Sequence, residues 1–248
     1  MSIKLNMDFP GVNLPKNLPM EAQILALPEL THWWRFGSGE TLTDGGLSAL
    51  VDVKGGATAV SAAAARRPTP TPAYIGNEGA YVFDGAASPD TDRLTFPLSA
   101  AAHFDGAFSL AVIFKATTPA TNGYMLSTFQ DLNVGTWFEL RANGNIRFQH
   151  GNSNCNLPMA SEAPSLVWGC RSDYYAYMRY NGVTAERTQT NNARGSQSLL
   201  AGAASTADNL RAAFGLAQLL RFNVNALLRP DIVRLVERYA RDVYGVAL

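Results

Sequence analysis

Glycosidic chemistry asks a chain for two carboxylic acids at a fixed separation, one to protonate the leaving oxygen and one to meet the oxocarbenium ion. This sequence carries twenty acidic residues, and they fall singly; no alternating Glu-x-Asp-x-x-Glu strand occurs. Glu139, in "TWFELRANGNIRFQH", is accounted for by a cross-strand partner, Arg147. His32, His103 and His150 stand at no metal-ligand spacing, and a lone histidine is expected to be a satisfied structural group. No nucleophile elbow, phosphate loop or metalloprotease helix motif is present. Asp84, Asp90 and Asp92 share one loop, as oxygen ligands of calcium would, but no calcium cluster can be placed on them. The expectation is no enzymatic activity, no metal and no cofactor. Cys155 and Cys170 are too few for a disulfide framework and are expected to be free, largely buried thiols, a mutual disulfide being the alternative.

What remains is recognition chemistry. In "YYAYMRYNGVTAE", Tyr174 to Glu186, the alternate residues Tyr175, Tyr177 and Arg179 would share one strand face, and Trp137 lies in the other hairpin. Brought together, these four would make an aromatic platform with a cation at its edge, suited to stacking on a neutral or acidic sugar. The competing expectation is that the rings fill the space between sheets or lie under a loop, the run being a strand that arrives at its turn.

The elements that must position these residues can be read from period and turn chemistry. A two-residue turn at Asn181-Gly182 pairs Tyr180 with Val183 and Met178 with Ala185, and leaves Tyr175, Tyr177, Arg179, Thr184 and Glu186 on the opposite face. The same turn at Asn143-Gly144 would mix faces. A three-residue loop, Ala142-Asn143-Gly144, instead sets Leu140 opposite Ile146, Phe138 opposite Phe148 and Glu139 opposite Arg147. "FSLAVIFKA" carries Phe108, Leu110, Val112 and Phe114 on one face and apolar Ala111 and Ile113 on the other, so this strand should be central and covered on both sides.

Residues 1–31 hold Pro10, Pro15, Pro19 and Pro28, which favours an extended arm with one helical turn through "MEAQILAL". Its apolar residues should lie on the domain or on a neighbouring subunit, and removing residues 1–28 is expected to leave a folded but unassembled domain. Residues 62–73, "AAAARRPTPTPA", and Thr188 to Ser198 read as surface loops. In "RPDIVRLVERYARDVYG" the positions Ile232, Leu235, Val236, Tyr239, Ala240 and Val243 recur at helical spacing, with Pro230 in the first turn and Gly245 just past the end, predicting one amphipathic helix over 230–244. The domain proper is then 32–248, and short strands with turn signals make it an all-β sandwich.

The balance of twenty basic and twenty acidic residues offers no basic surface for nucleic acid and no lure for anionic lipid. No segment approaches the roughly 20 apolar residues of a membrane span, and "MSIKLNMDFPGVNLP" lacks the order of a secretory signal.

Taken in order, "HWWRFGSGETLTDGG", "LVDVKGG", "RRPTPTP", "YVFDGAASPDTDRLTF", "FSLAVIFKA", "YMRYNGV" and "FGLAQLLRFN" with the closing helix resemble the concanavalin A-like lectin/glucanase superfamily. The nearest pattern is that of the laminin-G-like jelly rolls of bacterial surface proteins and bacteriophage virion proteins, over roughly Trp33 to Leu248. The resemblance implies a two-sheet antiparallel jelly roll whose relatives bind glycan or protein, some with calcium at the rim. The expected role is a bacteriophage virion structural protein, a capsid decoration or a tail or baseplate accessory, made in the bacterial host cytoplasm. Its expected partners are other virion proteins, copies of itself as trimer or dimer, and host-surface glycan. A secreted bacterial carbohydrate-binding module is the alternative, and a polysaccharide hydrolase or lyase a third reading.

Overall fold

A computed structural model describes residues 18–61, 63–85, 92–128, 135–172, 174–188, 198–203 and 211–248. The first half of the described chain holds strands β1 (Leu30–Arg35), β2 (Glu40–Thr43), β3 (Gly46–Val51), β4 (Thr58–Val60), β5 (Thr69–Ile75), β6 (Glu78–Phe83), β7 (Leu94–Ser99), β8 (Phe108–Ala116) and β9 (Gly123–Ser127). The second half holds β10 (Thr136–Leu140), β11 (Asn145–His150), β12 (Ser153–Pro158), β13 (Ser165–Ser172), β14 (Tyr175–Tyr180), β15 (Val183–Thr188), β16 (Ser198–Ala201) and β17 (Phe214–Phe222). Helices α1 (Met20–Leu25), α2 (Ala100–His103) and α3 (Pro230–Tyr244), with short 3-10 turns at Ala64–Arg66 and Ala226–Leu228, complete the set.

These strands form an antiparallel two-sheet jelly-roll sandwich with one closing helix. One sheet runs β15-β14-β13-β8-β17-β6-β5, with β1 also paired to β17, and the other runs β12-β11-β10-β9-β16-β7-β4-β3-β2. Strand β17 meets β8 along one side, while its other side is shared between β6, at Phe214 to Leu216, and β1, at Gln218 to Phe222.

Both hairpin registers follow from their turns. Leu140 faces Ile146, Phe138 faces Phe148 and Glu139 faces Arg147, with Gly144 at φ 76° closing the three-residue loop. Tyr180 faces Val183 and Met178 faces Ala185, with Asn181 at φ 42° and Gly182 at φ 84°, the two positive angles of the tight turn. Strand β8 is covered on both sides: Phe108, Leu110, Val112 and Phe114 enter the inter-sheet core, and Ala111 and Ile113 enter a second apolar layer on the outside.

That second layer exists because α3 lies against the first sheet. Ile232, Val233, Leu235, Val236, Tyr239, Ala240 and Tyr244 are buried there, and Gly245 at φ 70° ends the helix in the left-handed conformation. Beneath it, Trp33 Nε1 donates to Gln218 Oε1 at 2.5 Å and Gln218 Nε2 donates to the Tyr244 hydroxyl, so the Gln218 amide is paired at both ends under the helix. Ile24 and Leu27 join the same layer, so residues 18–31 pack on the domain itself, and a deletion of residues 1–28 would strip core side chains from α3. Residues 1–17 lie outside the described residues, as do 189–197 of the second expected loop.

The stretch 62–73 departs from the expected loop. From Thr69 it is strand β5, pairing with β6 at Thr69–Val82, Pro70–Tyr81 and Thr71–Ala80. The prolines are tolerated because β5 is an edge strand, where a missing N–H leaves no ladder bond unmade.

The facing sheet leaves no room for a side chain at Gly169, where an added Cβ would stand 2.4 Å from the Phe148 ring and 2.5 Å from that of Phe138. Gly169→Val should therefore lower stability by about 3 kcal/mol, since two packed rings on the facing sheet would have to move. Urea unfolding checks this; a midpoint equal to wild type would mean that the sheets are less tightly packed there.

Candidate functional site

The Asn181-Gly182 turn decides which side chains of β14 look outward. Met178 and Tyr180 point into the inter-sheet core, and Tyr175, Tyr177 and Arg179 onto the outer face of the first sheet, beside α3. Tyr174 and Tyr175 are exposed, at 72% and 40%, and the Tyr175 and Tyr177 rings lie 6.1 Å apart at 44°. Between this hairpin and α3 lies a cleft of about 320 Å³. Its strand wall is Tyr177, Arg179, Thr184 and Glu186; its helix wall is Val233, Arg234 and Glu237, with Leu227, Leu228 and Pro230 at the end.

Charge in the cleft is partly settled internally. Arg179 Nε donates to Glu237 Oε1 at 2.6 Å, its Nη2 to Glu237 Oε2 at 3.4 Å, and its Nη1 to Thr184 Oγ1 at 3.1 Å. Both partners are largely buried, so this two-pronged pair fixes the hairpin to α3. Arg234 is exposed on the rim and makes no ion pair among the described residues. A partly apolar cleft with a tyrosine at its mouth, a hydroxyl, a carboxylate and one uncommitted cation can hold a small polyhydroxylated ligand by stacking and hydrogen bonds.

Trp137 does not join the platform. It lies on β10 of the other sheet, whose inner face is occupied by Phe138 and Leu140, so its alternation carries it to that sheet's outer face, away from β14. There it is 2% exposed and packs edge-on against Tyr124, ring centroids 5.8 Å apart. The same face carries Glu139, whose Oε2 is 3.3 Å from Arg147 Nη1, with Arg147 Nε donating to Asn156 Oδ1 at 3.0 Å. Burial raises the Glu139 pKa against the pull of Arg147 and Arg141, and burial with the Glu139 charge pushes the Tyr124 phenol up to about 12. The two hairpins thus share a motif of sequence but not a face of the molecule. The contributions of α3 to the cleft could not be read from the sequence, because Arg234 and Glu237 sit on the helix's polar side, where a solvated charge is the ordinary expectation.

Of the candidate calcium loop, Asp90 lies outside the described residues, and Asp84 N–H donates to Asp92 Oδ2 at 3.0 Å. Among the described residues no group of three or more His, Cys, Asp or Glu side chains could hold a metal ion. Burial pushes the Asp92 carboxyl up to about 6, the Asp84 N–H opposing. Its folded value exceeds the unfolded one, so its contribution to stability is complete below about pH 4 and is lost as pH rises through 6. Asp92→Asn keeps an oxygen for the Asp84 N–H and should stabilise the protein by about 1–2 kcal/mol at pH 7, with little effect at pH 4. Urea midpoints at the two pH values check this; a variant that is weaker at pH 7 would mean that the charged form is the favoured one. Cys155 and Cys170 are buried thiols that form no disulfide, and burial pushes the Cys170 thiol up to about 12.

No family model matches the chain, and the curated proteins give no match. Solved structures do share the fold. Trypanosoma rangeli sialidase in complex with sialic acid is similar at a TM-score of 0.63 and 11% identity, over 89% of this chain and 34% of that one. A mutant of the same sialidase displaying trans-sialidase activity gives 0.60 and 12%, over 86% and 33%. The binding domain of botulinum neurotoxin serotype D gives 0.63 and 12%, over 93% and 56%. The chain spans about a third of the length of the sialidases it resembles. The expectation of no enzymatic activity is corrected here: the fold occurs within chains that are enzymes, so the lack of an alternating acid strand does not exclude catalysis. At these identities the likeness carries the fold alone.

Proposed function

We propose that this chain is a concanavalin A-like, lectin-like module of a bacteriophage virion, a capsid decoration or a tail or baseplate accessory, and that the cleft between β14–β15 and α3 holds a host-surface glycan. The observation that carries the reading is the cleft itself: about 320 Å³, near the lower end of small-ligand sites, with Tyr177 on its wall and Tyr175 beside it. Stacking on Tyr177 would orient a sugar ring, while the Thr184 hydroxyl, the Glu186 carboxylate and Arg234 lie along its edge as hydrogen-bonding groups. Because Arg179 is engaged by Glu237, the ligand's charge preference falls to Arg234. A fold shared with the binding domain of a toxin is in keeping with a recognition role.

Two assays test this. A glycan array probed with the purified protein should show a saturable signal for a limited set of glycans, and mass spectrometry of purified virions should find the chain in the particle. A blank array would remove the glycan reading, and absence from particles the virion reading. Release of new sugar ends from any bound polymer, measured on the same preparation, decides whether binding is followed by turnover. The second reading, a bacterial carbohydrate-binding module within a larger glycan-active protein, is favoured by the matched regions of the solved neighbours being parts of longer chains. Binding on the array together with absence from particles is its signature.

A further inference from the structure

Two of the three histidines, distant in sequence, meet at one end of the inter-sheet core. His32 of β1 stacks on the Trp34 ring at 5.2 Å and 6°, and meets His103, at the end of α2, edge-on with ring centroids 5.7 Å apart. Between them reaches Arg221 of β17, 7% exposed. Its Nη1 donates to Thr31 Oγ1 at 2.7 Å and its Nη2 to the His103 carbonyl at 2.6 Å, both neutral acceptors, and its Nε has no partner. Among the described residues no carboxylate pairs with this guanidinium, although an unpaired buried charge is costly. Asp52, whose field reaches His32, is committed elsewhere: it accepts from the backbone N–H groups of Trp33, Lys54 and Gly55 at 2.7, 2.8 and 2.9 Å.

The tautomers follow from the hydrogen bonds. The Thr31 hydroxyl proton goes to the Arg221 carbonyl at 3.1 Å, so at 3.0 Å its oxygen accepts from His32 Nδ1–H. His103 Nδ1–H donates to the Ser99 carbonyl at 3.3 Å. Each Nδ1 is therefore the protonated nitrogen, and neither Nε2 has a partner among the described residues. A second proton on either ring turns its Nε2 into a cationic donor beside Arg221. Burial lowers both histidine pKa values; for His32 the Asp52 charge opposes and Arg221 and His103 reinforce, and for His103 the Ser99 carbonyl opposes and Arg221 reinforces.

We propose that His32, His103 and Arg221 form a binding site for a single oxyanion group, a phosphate, sulfate or sugar carboxylate, at this end of the sandwich. An oxyanion there compensates the Arg221 charge and draws a proton onto the flanking imidazoles, so binding takes up protons and tightens as pH falls. While one histidine takes up its proton, affinity should rise about tenfold per pH unit.

The test follows the imidazole ¹H–¹⁵N signals of the full chain at pH 6 while inorganic phosphate replaces sodium chloride at constant ionic strength. His32 and His103 should shift saturably and titrate about one pH unit higher in phosphate than in chloride, with His150 unmoved. Arms with sulfate and glucuronate distinguish a mineral oxyanion from an acidic sugar. Arg221→Gln should abolish the response. Should that variant not fold, His103→Gln, at a half-buried position, should weaken binding about tenfold. Identical titration of His32 and His103 in chloride and in every oxyanion would overturn the proposal, as would an unchanged response in a folded Arg221→Gln.

Discussion

Ending the chain at Arg229 should leave a protein that does not fold to a soluble domain. The deletion removes α3 and with it seven buried side chains, from Ile232 to Tyr244, that cover the outer face of the first sheet. At roughly 1.5–3 kcal/mol for each large apolar side chain, this is on the order of 10 kcal/mol of burial, comparable to the whole net stability of a domain. The loss is compounded beneath the helix, where Trp33, Trp168 and Phe222 would meet water and Gln218 would lose the Tyr244 hydroxyl. Expression with solubility and circular dichroism measures this; a soluble truncation with a native strand spectrum would show that α3 is an appendage.

Tyr177→Ala should reduce glycan binding by ten- to thirtyfold, about 1.4–2 kcal/mol, while leaving the unfolding midpoint within a few degrees of wild type. The ring lines the cleft and is only partly covered by the outer apolar layer, so its removal takes the stacking surface and little core. Arg179→Ala should behave in the opposite way. It abandons the largely buried Glu237 carboxylate and loosens the hairpin from α3, so stability falls by about 1–3 kcal/mol and any loss of binding follows from that. Because weak single sites gain from repetition, array signals from an assembled oligomer should exceed those of the isolated domain. Equal binding by wild type and Tyr177→Ala would take the tyrosine out of the site.

Elements whose identity is set by local rules were legible in the sequence. The Asn143-Gly144 and Asn181-Gly182 loops dictate register through positive φ, and that register fixed which residues of β10, β11, β14 and β15 face the core. The stripe from Ile232 to Val243 dictated α3. Elements set by tertiary company were less so. Strand β5 carries two prolines that read as loop and became strand only because β6 offered an edge. The site was half legible: alternation placed Tyr175, Tyr177 and Arg179 together, but nothing local says on which sheet a hairpin will lie, and Trp137 went to the other one. The partners Glu237, His103 and Arg221 are separated from the residues they meet by many tens of positions. Single-sequence periodicity has no access to pairings at that range.

The central claim is that the cleft between β14–β15 and α3 is where ligand sits. The most direct measurement is a backbone ¹H–¹⁵N titration of the labelled protein with the strongest glycan from the array. Saturable shifts confined to Tyr175 through Glu186 and Leu227 through Glu237 are the predicted result. Shifts centred instead on Tyr124, Trp137 and Glu139 of the other sheet, or none at all, would contradict it.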